Sequence, residues 1–161
     1  MTTYSQLQRK DVNEIRKLAL ASWLVTYKNI FTRNSIRRQV LNHYSDKNFQ
    51  KVARSIKAKK GGYFVIARKK KILVGYANVG EKNREWELKR IYVTPKILRK
   101  GIGSGLLHNV EFFLKSKGIK RYCAHPHPKN SGAIMFYLKT GFKRNRMGDI
   151  GKNSPCYLKA I

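Results

Sequence analysis

Val93-Thr94-Pro95-Lys96-Ile97-Leu98-Arg99-Lys100-Gly101-Ile102-Gly103-Ser104 leads from an apolar, strand-like stretch into an amphipathic helical one. Beyond Pro95, the residues Ile102, Leu106, Val110 and Phe113 recur at spacings of four, four and three, which gives a helix one apolar face. The pattern stops at Gly118 after Lys115 and Lys117, cations suited to the carbonyl end of a helix. Gly101 and Gly103 let the backbone come close to a ligand, and successive unpaired N–H groups at a helix start form an anion site. A pyrophosphate fits such a place. Dinucleotide folds use a similar turn, but here the third glycine of their fingerprint falls on Leu106, and helices do not separate the preceding strands.

Upstream, Tyr63 to Ala67, Ile72 to Val79 and Trp86 to Val93 read as three strands, and the tight basic turn at Lys69 to Lys71 predicts an antiparallel meander. The alternation Trp86, Leu88 and then Ile91 slips by one residue, as a bulge near Lys89-Arg90 requires. The first half is mostly helical. After a short strand around Thr3 to Leu7, Asp11 is expected to cap a helix with the apolar face Val12, Ile15, Ala19, Trp23 and Tyr27. Asn34 or Ser35 opens a second helix running to Tyr44, and Ser45 with Asp46 starts another that fades into Lys59-Lys60-Gly61-Gly62. Downstream come a strand at Arg121 to Ala124, a helix from Ser131 to Thr140 ended by Gly141, and closing strands at Phe142 to Met147 and Cys156 to Lys159. With no internal repeat or low-complexity linker, residues 1–161 are expected to form one domain.

Composition narrows the function classes. Hydrophobic residues make up 42% of the 161 and aromatics 11%, which excludes a disordered chain. No apolar run approaches the roughly 18 to 20 residues that span a bilayer, and the polar start Met1 to Gln6 is no secretory signal. A cytoplasmic protein without a membrane partner is expected. Two cysteines, Cys123 and Cys156, suit a reducing compartment, where they act as small buried hydrophobes. Cys123-Ala124-His125-Pro126-His127 carries metal-ligand types, but a structural zinc site takes four ligands and Cys156 is the one further cysteine; no metal is expected. The unusual feature is charge: 36 Lys and Arg against eight acids give +28. Such a field attracts polyanions, so nucleic acid is a candidate partner. The basic residues are nevertheless scattered along the chain, without a recognition helix or basic tail, as on a solvated basic surface.

Glu87-Leu88-Lys89-Arg90-Ile91-Tyr92-Val93-Thr94-Pro95, followed by Lys100-Gly101-Ile102-Gly103-Ser104-Gly105-Leu106-Leu107, resembles the acetyl-CoA motif of the GNAT acetyltransferase family. Asn130-Ser131-Gly132-Ala133-Ile134-Met135-Phe136-Tyr137-Leu138-Lys139-Thr140-Gly141-Phe142 is similar to the second family signature, Asn, then Phe-Tyr, then Gly-Phe. Ala21 to Phe31 looks like the first helix of the PaiA-like branch, which includes polyamine acetyltransferases. One departure stands out: the family often has Gln or Arg three residues before the first glycine, where this chain has Leu98, leaving Arg99 and Lys100 to supply charge.

The resemblance implies an α/β fold, with a mixed, mostly antiparallel twisted sheet of about seven strands, flanked by about four helices and splayed between strands four and five. It implies acetyl-CoA as donor, with pantetheine in the splay beside Ile91, Tyr92 and Val93, and pyrophosphate on the loop Leu98, Arg99, Lys100, Gly101, Ile102, Gly103 and Ser104. Asn130 bonds the cofactor arm and Lys139 reaches a phosphate. An amine with a pKa of about 10.4 is protonated at neutral pH, so direct attack in a ternary complex needs a base. By the resemblance that base is Glu87, acting through water, with Glu85 as substitute. Tyr137 matches the tyrosine that protonates or hydrogen-bonds the departing thiolate, and the N–H of Ile91 steadies the oxyanion. Trp23, Tyr27 and Phe31 line the acceptor mouth, with Glu85 beside them. The acceptor stays open between a small, polyamine-like amine and a protein or peptide amine, since a +28 protein repels a polycation. A catalytically inactive nucleic-acid-binding module, or an acetyltransferase of nucleic-acid-associated proteins, is the alternative. Monomer and homodimer both fit, and the family strand order brings Cys123 near Cys156.

Overall fold

Two turns with no glycine set the centre of the sheet. The computed structural model describes residues 1–57, 61–151 and 153–161. Within it, strand β2 (Tyr63–Lys69) passes to β3 (Ile72–Lys82) through Lys70 and Lys71, at φ 48° and 67°. β3 passes to β4 (Glu85–Val93) through Asn83 and Arg84, at φ 52° and 64°. Each is a two-residue turn with both residues left-handed, the arrangement whose twist matches that of the flanking strands. The meander expected from the sequence is therefore present, with β3 longer than expected by three residues, Gly80 to Lys82.

Around it lie β1 (Thr2–Gln6), α1 (Val12–Thr26), α2 (Arg33–His43), α3 (Asp46–Lys57), α4 (Ile102–Ser116), β5 (Arg121–Ala124), α5 (Ser131–Lys139), β6 (Lys143–Arg144) and β7 (Tyr157–Ala160). The seven strands run in the order β1-β2-β3-β4-β5-β7-β6, antiparallel throughout except for the parallel neighbours β4 and β5. Five helices stand among the described residues where the resemblance implied about four, and α2 and α3 are separate, as Ser45 and Asp46 predicted. Lys59 and Lys60, where the last of these was expected to fade, lie outside the described residues. No described helix is long and apolar enough to cross a membrane.

Both faces of the sheet are covered, so the central strands are apolar on both sides. On β2, Val65 and Ala67 pack with Leu106, Val110 and Leu114 of α4, while Phe64 and Ile66 pack with Ile15, Leu18 and Ala19 of α1. Two expected caps differ. Asp11 is in helical conformation and its carboxylate instead accepts from the N–H of Gln8 at 2.8 Å, closing a short 3-10 turn ahead of α1. α2 starts at Arg33, with Thr32 as cap: its hydroxyl accepts from Ser35 N–H at 3.2 Å, so Ser35 is the residue being capped.

The predicted bulge is at Lys89. Asn78 pairs with Arg90 and the next residue, Val79, with Leu88, which leaves Lys89 as the extra residue of β4. Between β4 and β5 a single register pair forms, Glu87 with Cys123, and the strands part beyond it.

Most of the acids bind across elements. Arg68 of β2 holds Asp11 at 2.9 Å and Glu14 of α1 at 2.7 Å, and Arg16 of α1 holds Asp46 of α3. Lys159 of β7 holds Glu111 of α4, and Arg144 of β6 holds Asp149 at 2.6 Å.

Left-handed lysines carry a steric penalty of about 1 kcal/mol each that Asn and Gly largely escape. The pair K70N/K71G therefore stabilises the protein by about 1 kcal/mol in urea unfolding. K70Q/K71Q, which removes the same charge without relieving the turn, gives a smaller gain.

Candidate active site

The parting of β4 from β5 opens a cleft of about 820 Å³. Its floor is the end of β4, at Ile91, Tyr92 and Val93, and one wall is the turn into α4, at Leu98, Arg99, Gly101, Ile102, Gly103 and Ser104. The opposite wall is the start and inner face of α5: Asn130, Ala133, Phe136, Tyr137 and Lys139. Of the residues expected to hold the donor, Lys100 alone is not among those lining the cleft.

Each wall has a local cause. Arg99 and Gly101 are left-handed, at φ 60° and 76°, which turns the chain sharply from the Pro95–Ile97 turn into α4. α4 then begins without a side-chain cap, and its first backbone bond is Gly105 N–H to Gly101 C=O at 3.0 Å. The N–H groups of Ile102, Gly103 and Ser104 precede the first helical bond and so lack partners within the helix. At Gly103 the requirement is packing: a Cβ there meets the Phe136 ring at 3.1 Å, so the glycine lets α5 approach α4. Leu98, where the family often has a polar side chain, is 53% exposed, which leaves Arg99 as the cationic side chain of this wall. Asn130 caps α5, its Oδ1 accepting from Ala133 N–H at 3.1 Å, and its amide group keeps two further donors.

Tyr137 is 6% exposed and packed against Phe136, Phe142 and Tyr157, with its edge on the cleft. Burial pushes its phenol up, and the nearby Tyr27 and Glu87 push the same way, so it stays protonated at neutral pH. Glu87 sits at the one rung joining β4 to β5, and its carboxylate is 3.9 Å from Lys82, a loose pair whose lysine is 54% exposed. Glu87 is not among the residues lining the large cleft, and neither is Glu85. Glu85 lines a separate concavity of about 220 Å³ with Trp86, Gly118, Lys120 and Cys123, so the structure does not bring it to the large cleft.

Trp23, Tyr27 and Phe31 do come together, at ring separations of 5.0 and 5.9 Å, but they do not line the large cleft. α1 reaches that cleft through Ser22, Val25 and Thr26, and Ser22 donates to the carbonyl of Val93 at 3.4 Å. The three aromatics form a neighbouring wall, joined to the cleft floor through Tyr92, which lies 6.3 Å from Trp23. Among the described residues the indole N–H of Trp23 is buried without a partner; the hydroxyl of Tyr44 is committed to that of Tyr76 at 2.7 Å.

Two histidines join this wall, a place the sequence reading gave to neither. His127 packs edge-on against Phe31 at 5.7 Å and Tyr27 at 6.4 Å. His43 lies against Trp23 at 5.8 Å, and burial with the neighbouring Arg90 lowers its pKa and favours the neutral ring. Only the fold brings them to Trp23, Tyr27 and Phe31.

The family model for the acetyltransferase (GNAT) family matches residues 18–142. A spermidine N(1)-acetyltransferase from Thermoplasma acidophilum is 30% identical over 139 residues, 86% of either chain. The PaiA N-acetyltransferase of the same organism, solved in complex with coenzyme A, superposes with a TM-score of 0.91 over all of this chain and 99% of that one, at 25% identity. A GNAT-family acetyltransferase from Staphylococcus aureus Mu50 shares the fold, with a TM-score of 0.78, 18% identity and 99% of each chain covered. With a family match over residues 18–142 and a relative 30% identical over 86% of the chain, the chain belongs to the acetyltransferase (GNAT) family and is an acetyl-CoA-dependent N-acetyltransferase.

Proposed function

We propose that the protein acetylates a terminal primary amine of a polyamine-like acceptor. The observation that carries the donor half is the single rung between β4 and β5: from Leu88 to Val93, β4 has no register partner on that side. An extended amide-bearing arm can take the place of the missing strand. In this reading Ile91 and Val93 bond the arm through their backbones beside Tyr92. The free N–H groups of Ile102 to Ser104, with Arg99, hold the pyrophosphate, Asn130 donates to the arm, and Lys139 reaches a phosphate. Bound there, acetyl-CoA supplies an activated acetyl thioester.

The residues of this chain do the rest. Glu87 takes a proton, through water, from the incoming ammonium, which frees the nitrogen lone pair for attack. The N–H of Ile91 carries the charge that develops on the carbonyl oxygen. Tyr137 donates a hydrogen bond to the leaving sulfur. Its raised pKa makes it a weaker acid than a thiol, so stabilising the thiolate matters more than full proton transfer.

The acceptor half rests on the relative that acetylates spermidine and on two local features. Trp23, Tyr27, Phe31 and His127 form an aromatic wall of the kind that attracts ammonium groups. Five of the eight acids are held in close ion pairs, and the remaining three, Glu81, Glu85 and Glu87, all lie on the β3–β4 hairpin. They bring that hairpin near electrical balance in a chain of +28.

The test is acetyl-CoA turnover with polyamines, monoamines, amino acids and peptides, at low and at physiological salt. Turnover is expected with polyamines. Because salt screens the repulsion, spermidine KM falls as ionic strength rises to about 0.15 M, where the Debye length is about 8 Å, while acetyl-CoA KM rises. Salt-sensitive RNA or DNA binding with no turnover of any amine overturns the reading.

Tyr137→Phe lowers kcat about 100-fold with little change in acetyl-CoA KM, measured at saturating acceptor. Glu87→Gln lowers kcat by a similar factor, whereas Lys82→Met changes it less than about threefold; equal losses in both assign Glu87 to its ion pair instead.

A further inference from the structure

Behind the rung that joins β4 to β5, the fold assembles three side chains that acetyl transfer does not use. Cys123 lies in β5, His125 two residues beyond it, and Cys156 immediately before β7. Their ligand atoms are all within 4.8 Å of one another, and both cysteines are buried and free.

Three features fit this group to a metal. Nδ1 of His125 faces the carbonyl of Ser154 at 3.3 Å. A carbonyl only accepts, so the ring proton sits on Nδ1 and the lone pair is on Nε2, which points at Sγ of Cys123 from 3.5 Å. A backbone carbonyl on the far nitrogen is the usual outer partner of a metal-bound histidine. The 3.5 Å separation also matches the edge of a zinc tetrahedron, about 3.5 Å for bonds of about 2.3 Å to sulfur and 2.0 Å to nitrogen. Finally, Gly148 makes room for the second thiol: a Cβ at that position falls 2.7 Å from Sγ of Cys156.

We propose that Cys123, His125 and Cys156 bind one zinc ion, with a fourth position left for water. Counting ligands along the sequence argued against a metal because a structural site takes four and Cys156 was the one further cysteine; the fold turns His127 to Tyr27 and Phe31 and leaves a three-ligand, open site. A cysteine thiol without a metal is protonated at neutral pH. Zinc entry therefore replaces two S–H bonds with two Zn–S bonds and releases two protons to solvent. The site ties the end of β5 to the loop after it and to the start of β7. A metal there joins these three segments beside the β4–β5 rung, independent of the acceptor's identity.

The test uses the full chain, reduced and stripped with chelator. Cobalt is added first, then zinc. The expected result is one cobalt per chain with a thiolate-to-cobalt charge-transfer band, its displacement by zinc, and release of about two protons per metal in weak buffer. Cys156→Ser and His125→Asn each weaken zinc binding more than about 100-fold, while His127→Ala leaves it unchanged. His125→Asn keeps both core thiols, and far-UV circular dichroism checks its fold. Absence of the charge-transfer band, loss of binding in His127→Ala, or a Cys123–Cys156 disulfide in the protein as purified overturns the proposal.

Discussion

Everything at the site depends on β4 and β5 being parallel neighbours that share one rung. Had pairing continued past Glu87 and Cys123, the backbone from Leu88 to Val93 would be saturated and no ligand could use it. The bulge at Lys89 redirects β4 at that point, and α4 and α5 pack across the opening through Phe136 on Gly103. α1 closes the end, with the Ser22 hydroxyl on the carbonyl of Val93. The result is a slot with peptide groups along its floor, N–H donors at one end and a protonated phenol in its wall.

The polar ends of this slot were legible in the sequence because they are local. A left-handed glycine before a helix, an Asn cap and a tyrosine seven residues later are decided by neighbours a few positions away. The bulge was legible for the same reason: it breaks a period of two along one strand. Caps were harder, since Thr32 and Ser35 are both good capping types and only the backbone chooses between them. Glu85 was expected beside the acceptor aromatics and, like Glu87, does not line the large cleft. It shares the strand of Glu87, but it stands at the strand's first residue, where the sheet presents it to another hollow.

Long-range partners were the part the sequence concealed. His127 next to a Cys-x-His pair invited reading the three as one group, yet the β5–α5 loop sends His125 inward to Cys156 and His127 outward to α1. Neighbours two residues apart thus serve different sites. Likewise Trp23, Tyr27 and Phe31 form one surface, as their helical spacing implies, but the cleft is met by the adjacent stripe of the same helix.

The ion pairs have a further meaning in a chain so rich in lysine and arginine. Asp11, Glu14, Asp46, Glu111 and Asp149 each fasten one segment to another, like rivets through plates that push apart. Arg68 holds Glu14 below its ordinary range, and Arg144 with the Cys156 N–H holds Asp149 at about 2. These depressed values mean that their fastening is complete above the ordinary carboxylate range and is lost only as pH falls through the folded values. Acid then removes these two rivets and raises the mutual repulsion in the same step.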